Sequence, residues 1–321
     1  MNKVLLKQLI RAVCFIAVLT ILLFAVSVML EPKDNTNESG VTHTVLYGFL
    51  SEPKNTIDIA VIGNSDAGNG FSPLELWNKY GYTSYVCAEG WQTVPQGYSM
   101  LKKLYNCQKP RIVILETDGF FGSYNPIKAA AYITEPTRGG LMSIINYHNR
   151  WKTAKPEELF KKPRYTYHCF SKGQWLNNDV KGYTGGEYMK KCKEKEKLTT
   201  TARLALDFFV KRCRENGAEL LLTELPQSTW SYKKHNAVKA YADKNRIPFL
   251  DLNINRESFS FDWKTDTRDG GVHLNNRGAK KATLFLGEYL KNNYSIPDHR
   301  QDKNFKRWND DFTEYSKSAE T

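Results

Sequence analysis

IAVIGNSDAGNGFSP, residues 59–73, runs from a short apolar segment through a polar, glycine-bearing turn to a helix start. The apolar residues before Gly63 are too few for a helix and are not interrupted by polar ones, which is how a strand buried on both faces of a sheet reads. The turn presents Ser65 just past the strand's end, where a nucleophile would sit. Gly63, Gly68 and Gly70 are read as permitting tight backbone turns around it. Ser72, Pro73 and Glu75 then open a helix in the pattern of a capping box, with Ser as N-cap, Pro at the first position and Glu three residues on.

Outward from this segment the same alternation repeats. Strand-like runs at residues 57–63, 83–88, 111–117 (RIVILET), 218–226 (AELLLTELP) and 247–252 (IPFLDL) are separated by helix-like stretches near residues 96–105, 200–216 and 232–245. NRGAKKATLFLGEYL, residues 276–290, has the spacing of a closing helix. The pattern predicts an α/β fold, doubly wound and flavodoxin-like, with a parallel sheet of about five strands covered on both faces. Residues 120–197, rich in aromatics and lysine with turns at TRGG and YTGGEY, break the alternation. They are predicted to be an inserted subdomain at the carboxyl end of the third strand. Open α/β sheets bind ligands at that edge, so the insertion reads as a lid or substrate-binding wall. Residues 297–321 read as a polar, peripheral tail.

Residues 12–30, AVCFIAVLTILLFAVSVML, carry no charge and approach the ~20 residues a helix needs to cross a bilayer. Lys3, Lys7 and Arg11 precede this stretch, while Glu31 and Asp34 follow it. The bias predicts a cytoplasmic segment at residues 1–11, a transmembrane anchor at 12–30, a polar tether at 31–54 and an extracytoplasmic α/β domain at 55–296. A cleaved signal peptide, cut near Ala25-Val26-Ser27, is the rival reading, and the length of the apolar run favours a retained anchor. Of the net charge of +12, three units belong to Lys3, Lys7 and Arg11, leaving +9 on the rest of the chain. That excess suits an anionic envelope polymer or lipid head groups; no nucleic-acid partner is expected. Cys14 lies in the anchor. Cys87, Cys107, Cys169, Cys192 and Cys213 lie beyond it, an odd number that reads as small buried residues with one or two bridges. No Cys/His cluster or G-x-G-x-x-G fingerprint is present, so neither a metal nor a cofactor is expected.

DGGVHLN, residues 269–275, supplies what Ser65 lacks. A serine hydroxyl is almost un-ionised at neutral pH and needs a base, which in turn needs an orienting carboxylate. His273, with Asp269 four residues before it and a helix after it, fits the pair. His43, His148, His168, His235 and His299 have no comparable setting and read as structural or surface residues.

GNS after the first strand, AEGWQ (residues 88–92) after the second and DGGVHLN before the last helix resemble the SGNH/GDSL hydrolase superfamily, over about residues 57–290. More narrowly, the chain is similar to a membrane-anchored bacterial branch that includes the teichoic acid D-alanyl transfer protein and the alginate O-acetylation proteins. The resemblance implies Ser65 as nucleophile, His273 as general base and Asp269 as its orienting acid, with Gly90 and the Ser65 N–H as oxyanion donors. Two departures stand out. The family's acid lies three residues before the histidine, a place held here by Gly270, so either the loop carries an extra residue or Asp266 is the acid. The family's oxyanion Asn after the third strand is replaced by Glu116, Thr117 and Asp118. Either Asn64 or a backbone group substitutes for it, or the hole has fewer donors, at a cost of ~3 kcal/mol in transition-state stabilisation. Asp66 and Asp118 are expected along the wall of the site.

These observations lead to an extracytoplasmic, serine-dependent acyl esterase or O-acyltransferase acting on an acyl ester or a cell-envelope polymer. By resemblance its partner is a membrane-bound O-acyltransferase. One alternative is a catalytically inactive SGNH-like binding or assembly protein of the envelope, favoured by the missing Asn. Another is a membrane-surface lipase whose acyl channel the aromatic-rich insertion would provide.

Overall fold

In the computed structural model, which describes residues 3–320, five parallel strands carry the fold. They are β1 (Ile59–Gly63), β2 (Ser84–Ala88), β3 (Ile112–Glu116), β4 (Glu219–Glu224) and β5 (Phe249–Asp251), in spatial order β2-β1-β3-β4-β5. The helices are α1 (Lys3–Leu30), α2 (Ser65–Gly70), α3 (Pro73–Tyr80), α4 (Val94–Leu104), α5 (Pro126–Thr134), α6 (Leu141–Tyr147), α7 (Thr200–Glu215), α8 (Tyr232–Asn245), α9 (Asn276–Asn293) and α10 (Lys306–Glu320). The period-two alternation of β1 sets what each face holds. Ala60 and Ile62 pack in one layer with Leu101 of α4 and Leu206 and Phe209 of α7. Ile59 and Val61 pack in the other with Leu76 of α3 and Leu286 and Leu290 of α9. This is the doubly wound sheet that the alternation of short apolar runs predicts.

The strand order reverses between β1 and β3, because the chain winds to β2 on one side of β1 and then crosses to β3 on the other. Carboxyl ends of strands at such a switch point border a crevice. Ser65 follows β1 and Asp118 follows β3, so both lie on its rim.

Several peripheral segments differ from their sequence reading. Residues 31–54, read as a tether, belong to the domain: Leu46 and Phe49 are buried, the Phe49 ring meets Tyr85 edge-on at 6.0 Å, and Tyr85 Oη donates to the Val45 carbonyl at 2.6 Å. The helix containing the apolar stretch runs over Lys3–Leu30, and its last turn is covered, with Ser27, Val28 and Leu30 buried. Residues 297–321, read as peripheral, include α10, whose Trp308 and Tyr315 are buried; the Trp308 ring lies 5.4 Å from that of Trp77 of α3, tilted by 37°.

The capping box expected at Ser72 is absent. The Ser72 hydroxyl donates instead to Gln174 Oε1 at 2.8 Å and lies 2.7 Å from the Tyr315 hydroxyl, and Glu75 pairs with Lys280. Packing against α10 and the insertion outcompetes the local cap. All six cysteines are free, so no bridge forms, and Cys87, Cys169 and Cys213 serve as small buried residues.

Within the insertion, residues 169–175 run along the outer edge of the sheet, where the Val86 N–H of edge strand β2 donates to the Lys172 carbonyl at 2.9 Å. Covering the edge this way removes an unpaired strand from solvent. Lys172 itself is fully buried: its ammonium contacts Glu52 and Asp311 at 2.7 Å each and lies 4.5 Å over the Trp308 ring. One desolvated cation thereby ties residues 31–54, the insertion and α10 together, and removing any one partner would leave buried charge uncompensated.

Because Trp308 is 2% exposed and bears on both Trp77 and Lys172, Trp308→Ala is expected to cost about 3–5 kcal/mol of stability. Urea unfolding measures this; a loss within the few tenths typical of surface sites would mean that α10 is peripheral after all.

Candidate active site

Ser65 stands at the first position of α2, capped by the residue before it: Asn64 Oδ1 accepts the Asp66 N–H at 2.7 Å. The glycines around it work by size rather than by turning the chain. None of Gly63, Gly68 and Gly70 has a positive φ. A Cβ on Gly68 would lie 2.7 Å from the Trp175 ring, and Trp175 N–H donates to the Gly68 carbonyl at 2.8 Å. Trp175 of the insertion thus braces the nucleophile helix.

His273 Nε2 lies 2.9 Å from Ser65 Oγ, and its Nδ1 lies 2.5 Å from Asp269 Oδ2. The ionised carboxylate can only accept, so Nδ1 carries the ring proton and Nε2 is left to accept from the serine. Asp269 Oδ1 also accepts the His273 backbone N–H at 2.8 Å. Burial works against the charge of Asp269, but these bonds from His273 outweigh it and hold the carboxyl below its usual range. The four-residue spacing is accommodated by Gly270 and Gly271, at φ +85° and +96°, which give the loop two consecutive left-handed residues that side chains rarely adopt. Residues 181–183 of the insertion hold that loop: Gly270 N–H donates to the Lys181 carbonyl at 2.9 Å, and Tyr183 packs on Gly271.

Asp266, the alternative acid, is elsewhere. It is fully buried, and its oxygens bind Lys281 Nζ at 2.7 Å, Arg277 Nε at 3.3 Å and the Asp262 N–H at 2.7 Å. It anchors the loop before α9. Three further His–Asp pairs occur, His168–Asp311, His235–Asp251 and His299–Asp58. Among the described residues, only His273 also has a serine hydroxyl on its other nitrogen.

The Asn64 side chain, read as a substitute oxyanion donor, caps α2 through Oδ1 and gives one of its two amide N–H donors to Asp118 Oδ2 at 3.2 Å. The backbone offers further donors. The Ser65 N–H is at the first turn of α2, where no intrahelical carbonyl can accept from it. Gly90 lies in the exposed turn after β2, the strand paired with β1 in register Gly63↔Ala88.

Below the serine lies a feature that motif reading did not identify. Glu116 ends β3 and Glu224 ends β4; both are buried, as is Asp66, and Asp118 completes the group. Glu224 accepts from Thr117 Oγ1 at 2.5 Å and from Gln227 Nε2 at 2.7 Å, while Glu116 accepts the Asn64 and Asp118 N–H groups. Lys234 reaches only Asp118, at 2.9 Å. Burial, then the charge of Asp118, pushes Glu116 up to about 8. Burial, then neighbouring Glu116 and Asp118, raises Glu224 and Asp66 well above the carboxylate range. At neutral pH the group therefore retains protons. Asp66 Oδ1 is 4.0 Å from His273 Nε2, but burial disfavours its charge, and Asp269, bonded to Nδ1, is the acid that orients the ring. The visible signal was an acid closing each of two apolar strands, at RIVILET and AELLLTELP. No group of three or more His, Cys, Asp or Glu side chains among the described residues has the arrangement to hold a metal.

No protein-family model and no curated protein match this chain. Solved structures similar to it include a GDSL-like lipase from Bacteroides thetaiotaomicron, 12% identical, with 73% of this chain and 87% of that one covered at a TM-score of 0.34. The lipase/acylhydrolase from Enterococcus faecalis is also 12% identical, with 75% and 99% covered at a TM-score of 0.38. At that similarity nothing about the activity of this chain follows from theirs, and the site stands on its own geometry.

The buried carboxyls predict a pH dependence. A carboxyl raised in the folded state keeps its proton there while the unfolded chain loses it, so stability falls as pH rises from the ordinary Glu value of 4.5 towards about 8. Glu224→Gln keeps a carbonyl acceptor for the Gln227 amide and turns an NH2 towards the Thr117 hydroxyl, which can accept as well as donate, and is expected to flatten that fall. Urea midpoints at pH 5 and pH 8 test it; an identical slope in variant and parent would show that these carboxyls ionise normally.

Proposed function

We propose that the chain is a serine-dependent acyl esterase or O-acyltransferase. The observation that carries this reading is the continuous hydrogen-bond chain from Ser65 through His273 to Asp269. Ser65 Oγ attacks the acyl carbonyl carbon as its proton passes to His273 Nε2. Asp269 stabilises the imidazolium and fixes the ring. The resemblance gives the tetrahedral oxyanion to the Ser65 N–H and to the Gly90 N–H of the turn after β2. The intermediate collapses as His273 returns the proton to the departing oxygen, leaving an acyl-serine. Water, activated by the same base, then releases the acid; a polymer hydroxyl in its place receives the acyl group.

The finer reading is of an extracytoplasmic enzyme, held by the apolar α1 and acting on acyl groups of a cell-envelope polymer. It is supported by the basic character of the chain, by a helix long and apolar enough to cross a membrane, and by the resemblance of its sequence blocks to anchored SGNH proteins. The same resemblance suggests a membrane-bound O-acyltransferase as acyl supplier. A non-catalytic envelope role is favoured by one observation, the presence of Glu116, Thr117 and Asp118 where the family's oxyanion Asn would follow β3.

Full-length protein treated with a fluorophosphonate probe is expected to be labelled at Ser65, with labelling abolished in Ser65→Ala and His273→Ala; a folded protein that takes no label supports the non-catalytic role. Asp269→Asn is expected to slow ester hydrolysis about 10⁴-fold by misdirecting the ring tautomer, while Asp266→Asn leaves the rate per folded molecule unchanged. The reverse pattern would reassign the acid.

A further inference from the structure

The insertion divides into two parts with different neighbours. Residues 169–183 brace the nucleophile helix and the His273 loop, whereas residues 139–160 pack on α1. Phe24 of α1 abuts Gly139, where a Cβ would lie 2.3 Å from its ring; Ser27 Oγ donates to the Gly140 carbonyl at 2.7 Å; the Arg150 guanidinium donates to the Leu30 carbonyl. These contacts all fall on the last two turns of α1.

If α1 crosses a bilayer, as the anchored reading on which this inference rests requires, its charges fix how far. A Lys or Arg at the membrane centre costs about 2.5–3.5 kcal/mol, so Lys7 and Arg11 hold the hydrocarbon boundary near Ala12. Nineteen uncharged residues, 12–30, at 1.5 Å each span roughly 28 Å, the whole thickness of the hydrocarbon core. The outer end of the span is then the stretch from Phe24 to Leu30, about 9 Å long, to which the insertion is bound. No slack exists to lift the domain away, because residues 31–54 are packed into it.

The surface at that level has the matching chemistry. Leu141 and Ile145, one turn apart on α6, are each 50% exposed while Met142 faces inward; Trp151 is 68% and Phe160 85% exposed. Around them Lys152, Lys155, Lys161, Lys162 and Arg164 are exposed. Residues 138–164 hold seven Lys and Arg against two Glu, an excess that favours anionic head groups by roughly 1 kcal/mol per cation near the surface. We propose that residues 139–164 form an interfacial collar around the outer end of α1, seated on the anionic lipid surface with Leu141, Ile145, Trp151 and Phe160 at the acyl boundary. The collar fixes the height of the catalytic crevice above the membrane, and this part of the insertion acts as a membrane foot rather than as a lid.

The test uses the full-length chain in nanodiscs of phosphatidylcholine and phosphatidylglycerol, with or without bromine on the acyl chains. The Trp151 contribution is taken as the emission difference between the parent and Trp151→Phe, an exposed site whose replacement leaves packing intact. Loss of the Trp151 component in brominated discs is expected. If that component is equal in both discs while the chain is intact and membrane-bound, the collar fails and the anchor stands. If mass spectrometry of chain from cells shows cleavage near Ala25 and release from the membrane, both fail. If Trp151 is unquenched by lipid but shielded in native membranes, the surface belongs to a protein partner, which also overturns the proposal.

Discussion

The hydrogen bond between Ser65 Oγ and His273 Nε2 joins residues 208 positions apart, and its formation depends on most of the fold. Ser65 is delivered by β1 and the cap of α2; His273 is delivered by a loop whose far end is the first turn of α9. Those elements keep their spacing because the sheet is buried on both faces and its two apolar layers leave α3 and α9 no freedom to shift. An error of an ångström in that packing would separate the Ser65 hydroxyl from His273 Nε2. The insertion contributes to the same precision by closing on both sides of the pair, at Gly68 through Trp175 and at Gly271 through Tyr183.

The acidic group beneath the serine shows how burial changes what a residue type means. Asp66, Glu116 and Glu224 carry the same carboxyl as any surface acid, yet burial and the charges of their neighbours push all three up. A carboxyl that holds its proton can donate as well as accept a hydrogen bond, so burial here favours a polar network over accumulated charge, with Asp118 paired to Lys234.

Segments that read as accessories turn out to be structural. A tether, an insertion and a tail converge on Lys172, whose buried ammonium meets one acid from each end of the domain and the face of Trp308. The result is an α/β domain continuous with its N-terminal helix rather than loosely attached to it.

The sequence by itself determined the sheet class and brought forward Ser65 and His273 with an acid close by. Both are written in local patterns: buried parallel strands must be short and continuously apolar, and a Ser–His–Asp relay needs those residue types beside strand ends and helix starts. It left the acid open between Asp269 and Asp266, because nothing local reveals that two left-handed glycines absorb the extra residue. It misread Gly63, Gly68 and Gly70 as turn formers and gave Ser72, which does stand at the N-cap position, a capping box that does not form. It also named Asp66 and Asp118 without the cluster they make with Glu116 and Glu224, and treated residues 31–54 and 297–321 as peripheral. Each of these was decided by contacts between residues far apart in the chain, such as Ser72 with Tyr315 or Glu116 with Asn64. Periodicity and propensity describe a residue's neighbours in sequence, whereas desolvation, close approach and charge pairing depend on neighbours in space, which only the tertiary structure decided.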